Sequence, residues 1–159
     1  GGGMMNDVIL ARALHVLAVV VWIGGVAMAT SIVMPAVRRG DLGPDRVKAF
    51  SAIESRFKWV ARAMVLIVGL TGLYMAERLE IWDRFMSAGF WWMQAMVVVW
   101  LLFAFVLFIA SPFILHGRFR RWATERPEFA FSWLERAHWV LLVLALITVF
   151  GAVAGSHGW

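Results

Sequence analysis

Long apolar stretches alternate with short polar segments along this chain of 159 residues. The apolar stretches cover about residues 13–37, 57–76, 90–115 and 137–159. Each is about 20 residues or longer, which is the length a helix needs to cross a hydrocarbon core of about 30 Å. The pattern therefore predicts an all-α integral membrane protein with four spans, folded as a single domain over residues 1–159.

The polar connections predict how the four spans are arranged. They are short, so consecutive spans are expected to be antiparallel neighbours in an up-down-up-down four-helix bundle. The first and third connections are rich in arginine, whereas acidic and basic residues balance in the middle one. By the positive-inside rule, both termini then lie outside, in the periplasm, and the protein is a multi-pass protein of the bacterial inner membrane.

Composition narrows the classes of partner and chemistry. Hydrophobic residues make up 62% of the chain, and there is no cysteine, which excludes disulfides and thiolate metal sites. The net charge of +5 is concentrated in the two basic connections. It therefore predicts contact with anionic lipid headgroups and no role in nucleic-acid binding.

Small residues predict where helices approach one another closely. The glycines concerned are Gly24, Gly25, Gly69, Gly72, Gly151 and Gly155, and the last two form a GxxxG pair. Because lipid provides no hydrophobic drive between helices, close contact at small residues joins them. The same faces are candidates for homo-oligomer contacts.

Four histidines lie at the ends of the spans, and their depth sorts them into two pairs. His15 and His157 are predicted near the outer side, and His116 and His138 near the cytoplasmic side. Two imidazoles from different helices at one level could ligate haem iron, or could hold copper together with methionine thioethers. His15 is the first candidate, and His157 and His138 are the other candidate metal ligands.

Three further polar side chains in the spans are candidate cofactor contacts. Arg62 could receive a carboxylate, such as a haem propionate, or serve a quinone site; the alternative is an anchor that fixes topology. Trp22 lies deep in the first span and is expected to be packing or an apolar wall of a cofactor site. Gln94 is predicted at the level of His15, with its side chain towards the bundle interior.

Three parts of the chain resemble known families. They are LHVLAVVVWIGG (14–25), FSAIESRF (50–57) with GLTGLYM (69–75), and FWWMQAMVVVWLL (90–102). They resemble the first three helices of HemJ-type protoporphyrinogen oxidases and of CopD-type copper-resistance membrane domains. The resemblance implies that His15 corresponds to a helix-1 histidine associated with haem b. A lysine commonly stands in those families where this chain has Gln94, so the resemblance implies the haem site rather than the oxidase reaction.

The sequence thus supports three functions. The first is a haem b protein that acts in electron transfer or tetrapyrrole redox chemistry. If this protein is an enzyme, it is expected to be a membrane oxidoreductase that uses a redox partner or a quinone. The second is a copper-handling membrane protein. The third is a structural or partner-binding subunit without a cofactor.

Overall fold

A computed structural model of the chain describes residues 2–86, 88–110 and 118–157, and within those ranges the protein is helical without a strand. The α-helices are α1 (Gly2–Met28), α2 (Met34–Arg39), α3 (Arg46–Leu79), α4 (Trp91–Phe105), α5 (Arg118–Glu125) and α6 (Pro127–Ser156). Two π-helical turns extend α1 and α4 at Ala29–Val33 and Val106–Ala110, and short 3-10 turns at Trp82–Met86 and Ala88–Phe90 precede α4.

Four helical segments are long and apolar enough to span a membrane, so the prediction of a multi-pass membrane protein is confirmed in this form. They are Asn6–Arg39, Arg46–Leu79, Trp91–Ile109 and Pro127–Ser156. Large apolar side chains point outwards from all of them, for example Leu70 at 65% exposure and Phe150 at 69%. Such a surface is stable against acyl chains and not against water.

The helix α3 starts well before the predicted span at residue 57. The Asp45 carboxylate accepts a hydrogen bond from the backbone N–H of Lys48 at 3.1 Å and caps the helix at Arg46. The first turns of α3 are charged, so an apolar run could not reveal them. α1 likewise begins before residue 13, and α6 before residue 137.

Each π turn ends two residues before a proline in the sequence, Pro35 or Pro112. In a π turn the carbonyl of one residue pairs with the N–H five residues later, and a proline has no N–H. From the sequence alone, α-helical pairing predicts that Pro112 releases the carbonyl of Phe108; Pro112 and its kink lie outside the described residues.

The core lies between the four long helices, in two clusters. The larger contains Trp22, Val65, Phe103, Leu142 and their neighbours, and the smaller contains Met34, Val37, Phe131 and Leu134. An ion pair of 3.0 Å between Arg38 and Glu135 lies beside the smaller cluster and joins α2 to α6. We call this end of the bundle, which also carries Arg39 and Arg46, the basic end.

Aromatic rings of neighbouring helices cover several of the predicted glycine faces. Phe57 covers Gly25, Trp100 covers Gly69, and Trp91 and Trp92 cover Gly151 and Gly155. A Cβ atom at Gly69 would lie 2.6 Å from Cζ2 of Trp100, closer than atoms can pack. The glycines therefore make room for rings of the same chain, and the GxxxG pair of α6 is used inside the protein.

Candidate functional site

His15 is half-buried in α1 and is held by α3. Its Nδ1 atom lies 2.9 Å from Oγ1 of Thr71 and 3.1 Å from the carbonyl oxygen of Val68. The Thr71 hydroxyl uses its proton in a bond of 2.6 Å to the carbonyl of Ile67. Both oxygens near the imidazole are therefore acceptors, and Nδ1 carries the ring proton.

This tautomer leaves Nε2 of His15 as the nitrogen with the free lone pair. Nε2 makes no hydrogen bond within the part of the chain that the structure describes. Metal-ligating histidines commonly donate their other ring N–H to a backbone carbonyl or a similar acceptor, which fixes the tautomer and the ring orientation. The surroundings of His15 match that arrangement.

Gly72 explains how the imidazole fits against α3. A Cβ atom at this position would lie 3.4 Å from Cε1 of His15, so the ring lies directly over the bare backbone. Thr71 places its hydroxyl beside Nδ1 because it bonds back to its own helix, as threonines do in membrane helices. We call the group of His15, Val68, Thr71 and Gly72 the His15 site.

Among the described residues, neither His138 nor His157 bonds to the His15 site. His138 is half-buried near the basic end, one turn after Glu135, and its Nδ1 contacts the Leu134 carbonyl of its own helix at 2.8 Å. Along α1 and α2, His15 is about 35 Å from Arg38. Arg38 pairs with Glu135, which lies beside His138, so His138 is far from the His15 site. His157 is exposed at the C-terminal end of α6, and His116 lies outside the described residues.

Trp22 is buried, with 4% of its surface exposed, and its ring packs edge-to-face against Phe103 with centroids 4.8 Å apart. The ring of Trp22 thus packs in the core between α1 and α4. Its Nε1–H is buried without a hydrogen-bond partner among the described residues. Trp100 provides the contrast, because its Nε1–H donates to the Val65 carbonyl at 2.8 Å.

Arg62 is half-buried at the middle of α3 and reaches across to α4. Its Nε donates to the carbonyl of Leu107 at 2.9 Å, and its guanidinium lies over the rings of Trp59 and Phe108, at 5.1 and 5.6 Å. This hydrogen bond joins α3 to the π turn that follows α4. In the ranges that the structure covers, no carboxylate lies within ion-pair distance of Arg62.

Gln94 does not contribute to the His15 site. Its side chain is exposed, and its amide donates to the carbonyl of Phe85 at 2.6 Å. It therefore fastens the 3-10 turn Trp82–Met86 to the first turn of α4, and the expectation that it faces the bundle interior is not met.

The sequence predicted His15 as a candidate ligand but did not indicate Thr71, whose hydroxyl lies 2.9 Å from Nδ1 of His15. A hydroxyl directly before a glycine in an apolar span was the only signal available. Among the described residues, no group of three or more histidine, cysteine, aspartate or glutamate side chains could hold a metal ion.

No family model, no curated protein and no solved structure matches the chain. The resemblance to HemJ-type and CopD-type proteins therefore stays a prediction, and the functional argument depends on the residues alone.

Proposed function

We propose that this chain is a bacterial inner-membrane protein that binds haem b through Nε2 of His15 and acts in electron transfer or tetrapyrrole redox chemistry. The observation that carries the proposal is the pair of acceptors on α3, Thr71 Oγ1 and Val68 O, that hold the Nδ1 proton. A neutral imidazole with its second nitrogen free is the form in which histidine ligates iron.

The residues present fit such a group in two respects. His15 supplies a nitrogen ligand that is oriented by a second helix. Trp22 supplies a buried N–H that has no hydrogen-bond partner among the described residues, and a buried donor of this kind favours an acceptor from outside that part of the chain. When bound, haem b would supply reversible one-electron chemistry at its iron.

The arrangement in the membrane is part of the proposal. The helices α1 and α3 are antiparallel, because Gly25, late in α1, contacts Phe57, early in α3. His15, earlier in α1, contacts Thr71, late in α3. This supports the up-down-up-down order. With the arginine-rich basic end in the cytoplasm, both termini and the His15 site lie towards the periplasm.

Copper binding is the second candidate, and buried Met93 on α4 favours it. Trp100 of α4 contacts Val65 and Gly69 of α3. If α3 and α4 are antiparallel, the residues two turns before Trp100 lie near the level of Gly72. Met93 is 3% exposed and lies in that stretch. A thioether and an imidazole are ligands suited to copper.

The two candidates differ in a direct measurement on the purified protein in detergent. The haem proposal predicts a Soret band with one haem per chain, lost when His15 is replaced by alanine. The copper alternative predicts bound copper without porphyrin absorbance. An unchanged haem spectrum in His15→Ala would remove His15 from the site, and absence of both metals would contradict both proposals.

A further inference from the structure

Two cationic side chains of α3 lie against one indole ring on the outer surface of the bundle. Nζ of Lys58 lies 5.8 Å and Cζ of Arg62 lies 5.1 Å from the ring centroid of Trp59. Trp59 is 64% exposed, so its ring faces the lipid that surrounds the protein. We call Lys58, Trp59 and Arg62 the cationic group of α3.

The cationic group lies where α3 enters the hydrocarbon core from the basic end. Arg62 is the only charged residue between Lys58 and Glu77, and this stretch spans about 28 Å of helix, close to the thickness of the core. Lys58 is therefore at the boundary of the core, and Arg62 is one turn inside it. The Arg62 side chain extends back towards that boundary, because its guanidinium lies over Trp59, which is earlier in the helix.

Neither cation has an anionic partner among the described residues, where the ion pairs involve other side chains. Arg62 donates through Nε to the Leu107 carbonyl, and its terminal N–H groups make no hydrogen bond within those ranges. That bond and the rings of Trp59 and Phe108 hold the guanidinium in place. Two positive charges at the edge of a hydrocarbon core are costly without a counter-charge, so this position favours an anion as ligand.

An apolar surface continues from the cationic group towards the centre of the membrane. It consists of exposed side chains, four and three residues apart, on α4 and the π turn after it: Leu101, Phe105 and Phe108. We call these three residues the apolar stripe. Phe108 contacts the Arg62 guanidinium, whereas Trp100, next to Leu101, contacts Gly69 of α3. The stripe therefore runs alongside α3, away from the basic end, and a ligand here can have both an anionic head and an apolar tail.

We propose that the cationic group of α3 binds the phosphate of an anionic phospholipid in the leaflet at the basic end. The guanidinium of Arg62 donates through its terminal N–H groups, and Lys58, on a flexible stem, adds a second positive charge. The acyl chains lie along the apolar stripe. An anionic lipid is preferred over a zwitterionic one, because its net negative charge offsets a cation that no group of the lipid itself neutralises. This lipid site is separate from the His15 site and does not depend on haem.

Native mass spectrometry of the full chain in detergent measures this preference as a ratio of affinities. The protein is titrated with phosphatidylglycerol and with phosphatidylcholine of the same acyl chains, and the dissociation constant of the first bound lipid is determined for each. The variants are Lys58→Gln, Arg62→Gln and the double variant. Lys58→Gln leaves the bond between Arg62 and Leu107 intact, so it tests the site even if Arg62→Gln does not fold. Arg56→Gln is the matched control, because it removes an equal charge from an exposed position of the same helix.

The wild-type chain and Arg56→Gln are expected to bind phosphatidylglycerol about tenfold or more tightly than phosphatidylcholine, since each cation near an anionic headgroup contributes roughly fivefold. Each single variant should lower this ratio about fivefold, and the double variant should bring it near unity. The ratio compares two lipids on the same protein, so a general loss of folding does not by itself change it. Inorganic phosphate should not displace phosphatidylglycerol, because it lacks the acyl chains that contact the apolar stripe.

Three other outcomes overturn the proposal. If the wild-type chain binds both lipids equally, or if the double variant keeps the preference, the cationic group does not bind the lipid phosphate. If Arg56→Gln lowers the ratio as much as the double variant, the preference comes from the overall charge of this surface. If inorganic phosphate displaces phosphatidylglycerol from the wild-type chain, the ligand is a soluble anion and not a lipid.

Discussion

His15 and His138 are both half-buried, and in both the Nδ1 atom is hydrogen-bonded to a backbone carbonyl. The two carbonyls differ in whether they belong to the same helix as the histidine. The acceptor of His138 is Leu134, four residues earlier in its own helix. The acceptors of His15 are Val68 and Thr71 on another helix. A bond within one helix forms wherever that helix forms, whereas a bond between helices holds the ring only when the bundle is assembled.

The difference concerns what fixes the orientation of each ring. An orientation set by a second helix is preorganised only in the assembled bundle, and preorganisation lowers the cost of binding a ligand. His15 is held in this way, whereas the ring nitrogen that His138 satisfies bonds within its own helix, near the ion pair of Arg38 and Glu135. The predictions below test this contrast in order of decreasing effect.

The largest effect is expected from alanine at the two histidines. His15→Ala should weaken haem binding by more than about 100-fold, beyond the range for residues that only orient a ligand. His138→Ala should leave the affinity unchanged, because its ring lies far from the His15 site. Haem titration of both purified variants measures this, and equal losses would abolish the distinction between the two histidines.

Thr71→Val should give the next largest effect. It removes the oxygen that lies 2.9 Å from Nδ1 and keeps the shape of the side chain. We expect an affinity for haem about 10–100-fold lower, as for other residues that orient a metal-binding histidine. Thr71→Ser retains the hydroxyl and should bind like wild type; a loss as large as that of valine would show that the methyl group, and not the hydrogen bond, matters.

Gly72→Ala should have a smaller effect on the His15 site. The new Cβ would lie 3.4 Å from Cε1 of His15, which is ordinary contact, so the ring needs to shift little. The expected cost in haem binding is less than about 1 kcal/mol, or roughly fivefold. Gly24→Ala is the control, since a Cβ there meets nothing within 4 Å. A large loss in Gly72→Ala would mean that the imidazole has no freedom to adjust.

The smallest effect concerns the basic end near His138. Arg38→Gln removes the 3.0 Å ion pair with Glu135, in which the Arg38 side chain is 42% exposed. Exposed pairs contribute about 1 kcal/mol or less, so the free energy of unfolding should fall by no more than that. Arg39→Gln, at the exposed neighbour, should not change it. Unfolding in denaturant measures both, and haem binding should be unaffected in each.

The four apolar helices were predictable because about 20 consecutive apolar residues have few other stable structures. The start of α3 was not, because its first turns carry Arg46, Lys48, Glu54 and Arg56, and only the Asp45 cap indicates a helix there. The π turns were also hidden. The released carbonyl expected at Phe108 stays a prediction, because Pro112 lies outside the described residues.

The candidate site was predictable only in part, for a physical reason. When every face of a helix is apolar, its periodicity does not determine its rotation, so a sequence cannot reveal which way His15, Trp22 or Gln94 points. His15 and Trp22 turn inwards in the fold, whereas Gln94 is exposed and bonds to Phe85. Thr71 became a candidate only once the distance between α1 and α3 was known.

The most direct test of the account replaces the imidazole of His15 and then returns it. His15→Gly should lose haem and its Soret band, and added imidazole should restore both, because Thr71 and Val68 remain to receive its N–H. Haem binding that is unchanged in His15→Gly without imidazole would contradict the claim that Nε2 of His15 is the iron ligand.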